Sequence, residues 1–429
     1  MISKTLKRGS ELVFSITAKN IYLVGSGNLI SVVSGFIFYI IIARSLSVSD
    51  LGVFSALYSF ILILSDFTDF GFGAGLSNFI PPLLKENKLD QVNKITKTTF
   101  IVQLTLASIL GLIVVFFSSM ISRLLFGNAT ANFSSLIGWS SAGVIGYTLL
   151  NFSVSQFISK ESFKKVFSIQ SLQAVIKVLF ALSYLVIATL DLKSILIIFI
   201  LAPFFAVIYN SPGLINAFIQ KGVYPFKKLF RFNIFLALNK LFVVLFSRLD
   251  VLMLTALSST YEAGLYSVAS RVAFIYPLVG GSVGTVFGPK YAKLTIGEAL
   301  SFTKKSMLVV LILVMSLVLL ILIAPLLIPL VFGSSYTNSV PVLQVLLLGT
   351  IPFLLAIPTN NLLTYSLKKP YILAVSSLIQ LIIVFSFNYY FIPRYGAFGP
   401  AFSVGIAALT ALFISVTASF YEYVQFRKR

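Results

Sequence analysis

The stretch SMLVVLILVMSLVLLILIAPLLIPLV, residues 306–331, runs for 26 residues without a charge. A helix crossing the hydrocarbon core of a bilayer needs about 20 such residues. Comparable runs recur along the chain. Their spacing predicts helices near 21–43, 51–82, 99–121, 133–157, 166–190, 194–216, 232–257, 263–288, 306–331, 340–364, 371–392 and 397–423. No soluble core could bury so much apolar surface. The expected fold class is therefore an all-α polytopic membrane protein with about twelve transmembrane helices. The second segment is longer than one straight span requires, so it should tilt, break at its glycines or run beyond the membrane.

Composition supports the class. Of 429 residues, 58% are hydrophobic and 10% charged, against about 25% charged in soluble domains. Mean hydropathy is +1.01. Neither Cys nor His occurs, which excludes disulfides, thiolate metal sites and Cys/His nucleophiles. The first apolar run, 21–43, is too long for the core of a cleavable signal peptide and reads as a first span.

A net charge of +20 would suit a nucleic-acid binder, but its distribution argues against one. With the N-terminus in the cytoplasm, 24 Lys and Arg residues fall on inside segments, in clusters at 4–19, 85–97, 160–165, 221–231, 290–305, 368–369 and 427–429. The outside turns hold only Arg44, Arg123, Lys193 and Arg394. This alternation follows the positive-inside rule, places both termini in the cytoplasm and removes the need for a nucleic-acid partner.

The two halves repeat. DLGVFSA (50–56) resembles EAGLYSV (262–268), LLFGN (124–128) resembles LVFGS (330–334), and the basic turn at Lys160 resembles that at Lys368, with offsets of 212, 206 and 208. Matches in the same order at nearly constant offset indicate an internal duplication. An even number of helices per half gives the halves parallel topology. That predicts an N-terminal lobe over 1–219, a cytoplasmic linker over 220–231 and a C-terminal lobe over 232–429, arranged about a central cavity.

Four basic residues remain inside predicted spans: Lys177, Lys240, Arg248 and Arg271. The segment FSRLDVLMLTALSSTYEAGLYSVASR (246–271) also carries Asp250 and Glu262. An isolated charge in mid-membrane costs about 2.5–3.5 kcal/mol or more. Counted from the turn SSTY, Asp250 and Arg271 each lie about ten residues away, or ~15 Å along a helix, so they can neutralise each other. Arg248 points about 200° around the helix from Asp250 and needs another partner. The charges thus read either as a structural clasp or as a basic, water-filled cavity in which Lys177, Lys240, Arg248 and Arg271 meet an anionic substrate. Asp66 and Asp69 fall near the cytoplasmic end of the second span. They read as solvated carboxylates or, with Asp250, as sites for a coupling Na+ or H+. GFGAG (71–75) and GGSVGTVFGP (280–289) occupy matching spans and fit either close helix packing or a binding region. GFGAG lacks the strand–helix context of a nucleotide loop.

Four segments carry a family resemblance: IARSLSVSDLGVFSALYSF, DFGFGAGLSNFI, RLDVLMLTALSSTYEAGLYSVASRV and YGAFGPAFS. They resemble the polysaccharide-transporter branch of the multidrug/oligosaccharidyl-lipid/polysaccharide (MOP) superfamily, the bacterial O-antigen and capsule flippases. The likeness extends over essentially the whole chain. It implies a MATE-like pair of six-helix lobes working by alternating access. It also implies translocation of an undecaprenyl-diphosphate-linked oligosaccharide from the inner to the outer leaflet of the bacterial inner membrane. Ion gradients rather than ATP would drive this, with membrane lipid and glycan-assembly proteins such as a polymerase as partners. No catalytic residue, metal or organic cofactor is expected. A cation-coupled multidrug exporter of the same superfamily is the alternative, but it would favour an acidic cavity, and here mid-span bases outnumber acids. A membrane enzyme would need a large polar loop, and none predicted exceeds about 20 residues.

Overall fold

The computed structural model describes residues 16–127, 133–219 and 222–428. Gln220 and Lys221 of the predicted linker lie outside the described residues, as do Asn128 and the predicted cytoplasmic charges Lys4, Lys7, Arg8 and Arg429. The described chain is helical throughout. Its α-helices are α1 Ile16–Ser45, α2 Val48–Asp69, α3 Phe72–Lys85, α4 Leu89–Phe116, α5 Ser118–Phe126, α6 Ser134–Ser159, α7 Phe163–Ile187, α8 Leu192–Ile208, α9 Ser211–Ile219, α10 Phe226–Leu257, α11 Thr260–Ala273, α12 Ile275–Tyr291, α13 Ile296–Phe332, α14 Ser339–Asn361, α15 Pro370–Tyr395 and α16 Phe398–Lys428.

Each predicted span coincides with one helix or with one interrupted helix. Of the three outcomes open to the second span, a break at its glycines is the one present. Phe70 and Gly71 take φ of 43° and 71°, left-handed values that end α2 and start α3. Its counterpart, Thr260–Tyr291, is interrupted at Phe274. There Pro277 has no N–H to offer the Ala273 carbonyl. Among the described residues, eight helical segments are long and apolar enough to cross a membrane, and two shorter ones are apolar. On α13 the exposed face carries Leu308, Ile312, Leu319, Leu326 and Leu330, while Val310, Leu317, Ala324 and Ile328 face inward. Such an apolar outer face is favourable only in lipid.

The chain forms two compact units. The first comprises residues up to Leu46 together with Leu57–Leu245; the second comprises Ser47–Ala56 and Phe246–Arg429. The unit boundary thus passes through α2 and α10. Within the first unit α4 packs on α6, α3 on α6, α6 on α8 and α7 on α8. The second repeats this set, with α13 on α14, α12 on α14, α14 on α16 and α15 on α16.

The sequence repeat reappears as geometry. Gly127 and Gly333 each end a helix with positive φ, at 73° and 105°. Their N–H groups close the last turn onto Arg123 O and Pro329 O. Both basic turns hold one left-handed residue, Glu161 at 52° and Lys368 at 55°. Helix starts are capped locally. The Asp191 side chain accepts from Ser194 N, and Thr295 and Glu298 form a capping box on α13. These side chains satisfy amides that the first turn leaves without helical partners. The glycine stripe of α12 serves close packing: a methyl on Gly280 would meet Leu354 and Ile357 at 2.9 Å, and one on Gly288 would meet Tyr365 at 2.8 Å.

Candidate functional site: buried charges of the two units

Asp66 and Asp69 are three residues apart on the last turns of α2, so they share one face. The break that follows gives Asp69 a special place. Its Oδ1 accepts from Gly73 N at 3.1 Å, in the first turn of α3, and from Gln103 Nε2 of α4 at 2.9 Å. Lys240 of α10 completes the cluster, with Nζ 2.9 Å from Asp69 Oδ2 and 3.1 Å from Asp66 Oδ1. Side-chain exposure is 6% for Asp69, 22% for Asp66 and 34% for Lys240. Two carboxylates therefore share one ammonium, and the group retains one negative charge. Two hollows reach it. One of about 380 Å³ is lined by Asp69, Gly73, Ser77, Ser155 and Lys240; the other, about 40 Å³, is lined by Asp66, Phe67, Phe70, Ala237 and Lys240. The sequence offers Lys240 as a candidate partner of an anionic cargo, and Asp66 and Asp69 as solvated carboxylates or coupling-ion sites. In the folded unit all three are partners of one another.

Lys177 lies midway along α7, half-buried. Its Nζ stands 5.8 Å from the centroid of Phe38 on α1 and 5.9 Å from that of Phe199 on α8. Phe199 is itself stacked on Tyr147 (4.9 Å, 27°) and tilted against Tyr58 (5.1 Å). Gln173, one turn before Lys177, donates to Tyr147 Oη at 3.1 Å. The ammonium thus sits on an aromatic wall, where ring quadrupoles offset part of its desolvation.

In the second unit Asp250 is buried on α10. Tyr266 Oη donates to its Oδ2 at 2.7 Å and Asn388 Nδ2 to its Oδ1 at 2.8 Å. The expected Asp250–Arg271 pair is corrected by this arrangement, since neutral donors take both oxygens. The reason lies in where the turn falls. α10 ends at Leu257 and α11 starts at Thr260. Asp250 is then seven residues before one end and Tyr266 six residues after the other. Arg271 lies eleven residues after that start, four more than separate Asp250 from Leu257, and so ~6 Å out of level with Asp250. Arg248, half-buried, projects from another side of α10. Glu262, in the first turn of α11, accepts from Ala397 N at 2.7 Å and so ties α11 to the turn between α15 and α16. That accounts for the second acid of the 246–271 segment.

Of the seven charges singled out in the sequence, Lys177, Lys240, Asp66 and Asp69 belong to the first unit and Arg248, Asp250 and Arg271 to the second. The partners that organise them, Gln103, Tyr266 and Asn388, escaped the sequence reading. Their signal was available: an amide side chain inside an apolar span, as in FIVQLT or FSFNYY, must find a polar partner.

Residues 17–294 match the family described as polysaccharide biosynthesis protein. No curated protein sequence matches the chain. Among solved structures, an inward-facing multidrug resistance MATE family transporter of the MOP superfamily superposes with a TM-score of 0.77 at 10% identity, covering 93% of this chain and 96% of its own. Lipid II flippase MurJ, in an inward closed conformation, gives a TM-score of 0.72 at 17% identity over 92% of this chain and 87% of its own. A MOP superfamily transporter from Pyrococcus furiosus gives 0.61 at 10% identity over 98% of both chains. At such identities the likeness establishes the fold alone. The chain is a multi-pass membrane protein with the MOP-transporter fold, and it belongs to the polysaccharide biosynthesis protein family.

Proposed function

We propose that the protein flips a polyprenyl-diphosphate-linked oligosaccharide from the inner to the outer leaflet of the bacterial inner membrane by alternating access, with both termini cytoplasmic. Lys177 carries this reading: a cation kept at the centre of a membrane-length helix and held against two ring faces. Contacts between an ammonium and ring faces are worth about 0.5–2 kcal/mol. A hydrogen bond to a charged group is worth about 1.5–3 kcal/mol. A diphosphate beside Lys177 would add charge-assisted hydrogen bonds to these ring contacts. Arg248 and Arg271 are assigned the same task in the second unit. The family's place in polysaccharide biosynthesis supplies the glycan, and the MurJ likeness supports a lipid-linked form of it.

We assign ion coupling to Asp66, Asp69 and Lys240. The group keeps one negative charge, so an entering Na+ or H+ takes over part of what Lys240 neutralises and loosens its hold on α2. Asp250, saturated by Tyr266 and Asn388, is assigned a structural role. The acidic group also suits the second reading, a cation-coupled multidrug exporter.

Complementation of a flippase-null strain separates the two. The expected result is restored glycan on the outer leaflet, lost with Lys177→Ala while the protein stays in the membrane. Resistance to cationic drugs without restored glycan would favour the exporter and overturn the flippase.

A further inference from the structure

In the first unit a second basic place lies apart from the ionic cluster, where α6 ends and α7 begins. A polar pocket of about 440 Å³ is lined there by Gln156, Lys160, Lys165, Tyr209, Asn210 and Asn216, among others. Its floor is buried and neutral: Asn210 Nδ2 donates to Gln156 Oε1 at 3.1 Å, and both residues are 3% exposed. Lys165 lies over the Phe157 ring at 5.6 Å. No acid is among the lining residues; Glu161, next in sequence to Lys160, is not one of them. Desolvation by the pocket wall and, second, the Lys165 charge hold the Lys160 ammonium below the usual lysine range, although the residue as a whole stays exposed at the rim.

The repeat supplies the comparison. In the second unit the matching basic turn is neutralised internally, because Lys369 bonds to Glu422 of α16. The counterpart of α16 is α8 with α9, and at this turn's offset of 208 the residue matching Glu422 is the neutral Leu214, while Lys369 itself matches Glu161. In one copy a lysine of the turn is paired with an acid; in the other two lysines border a polar pocket whose lining includes no acid among the described residues. Tyr209, which lines this pocket, is 46% exposed, and its chain neighbour Ile208 is 63% exposed. Apolar side chains beside a basic pocket at helix ends suit the headgroup level of a bilayer.

We propose that this pocket binds the phosphate of an anionic membrane lipid, with Lys160 and Lys165 as charge partners and the Gln156–Asn210 pair as its polar floor. The inference stands independently of transport. In the test, the full chain is purified in detergent and its thermal unfolding followed with phosphatidylglycerol, phosphatidylcholine or inorganic phosphate added. Phosphatidylglycerol should raise the unfolding temperature and phosphatidylcholine should not. The pair K160Q/K165Q should weaken phosphatidylglycerol binding at least tenfold. Lys164→Gln, in the same turn but outside the pocket lining, should leave it unchanged. If the double variant fails to fold, K160Q and K165Q singly should each reduce the effect. An unaltered response in the lysine variants would overturn the site. Equal protection by inorganic phosphate would overturn the lipid as its occupant and leave a site for soluble anions.

Discussion

Gly52 and Gly264 hold the same position in the two copies of the repeated motif, and within the second unit they lie backbone against backbone. A methyl group built on Gly52 would come within 1.8 Å of Thr260 O, and one on Gly264 within 2.0 Å of Val48 O. Neither obstacle is a side chain that can swing away. Gly52→Ala and Gly264→Ala should therefore force the helices apart, at a cost of about 1–3 kcal/mol or more. Gly35→Ala on α1, with nothing within 4 Å of the added carbon, should be tolerated. The yield of monodisperse protein in detergent measures the contrast.

Asp250, Tyr266 and Asn388 are hydrogen-bonded together in an apolar bundle. Asn388→Leu leaves one carboxylate oxygen buried without its donor, a loss of about 1–3 kcal/mol. Tyr266→Phe should cost a similar amount, and Asp250→Asn less than Asp250→Leu. Unfolding temperatures of the four variants test this order. Equal stability of Asn388→Leu and wild type would contradict the structural role.

Removal of Lys240 should harm more than removal of either acid alone. Lys240→Met leaves Asp66 and Asp69 facing each other without a counter-charge, which costs about 3–5 kcal/mol for a buried pair, less here because Lys240 is part-exposed. Adding Asp69→Asn should recover part of the loss, and a double-mutant cycle should read a coupling of about 0.5–3 kcal/mol. The unfolding temperature of Lys240→Met should also rise more steeply with Na+ than that of wild type.

Acid should weaken the start of α8. Hydrogen bonds from Ser194 hold the Asp191 carboxyl below its ordinary range. The folded-state value is thus below the unfolded one. The stabilisation is complete above the unfolded pKa and disappears as pH falls through the folded one. Asp191→Ala should lose about 0.5–2 kcal/mol at neutral pH, toward the low end because the group is exposed and screened. The gap from wild type should close on acidification, as followed by thermal unfolding from neutral pH downward.

Lys177→Arg should keep more transport than Lys177→Met, since charge persists while the fit against Phe38 and Phe199 changes. Phe199→Leu should lower activity with little change in membrane level. Outer-leaflet glycan normalised to protein in the membrane gives the readout.

The apolar spans, the paired glycines ending LLFG and LVFG, and the basic turns were legible in the sequence, and a break at the glycines of the second span was one of three readings it allowed. Each follows from a local rule: hydrophobic length, backbone freedom at glycine, or charge kept out of lipid. The partners of the buried charges were not legible. Asp250 turned to Tyr266 rather than Arg271 because α11 starts at Thr260 and not near 263, a shift of a few residues that no periodicity fixes. Lys240 found Asp66 and Asp69 because the chain bends at Phe70 and brings α10 beside that bend. A sequence states how expensive a mid-membrane charge is. Only the packed helices decide which neighbour offsets the cost, since that depends on ångström-scale depth and on the face each helix presents.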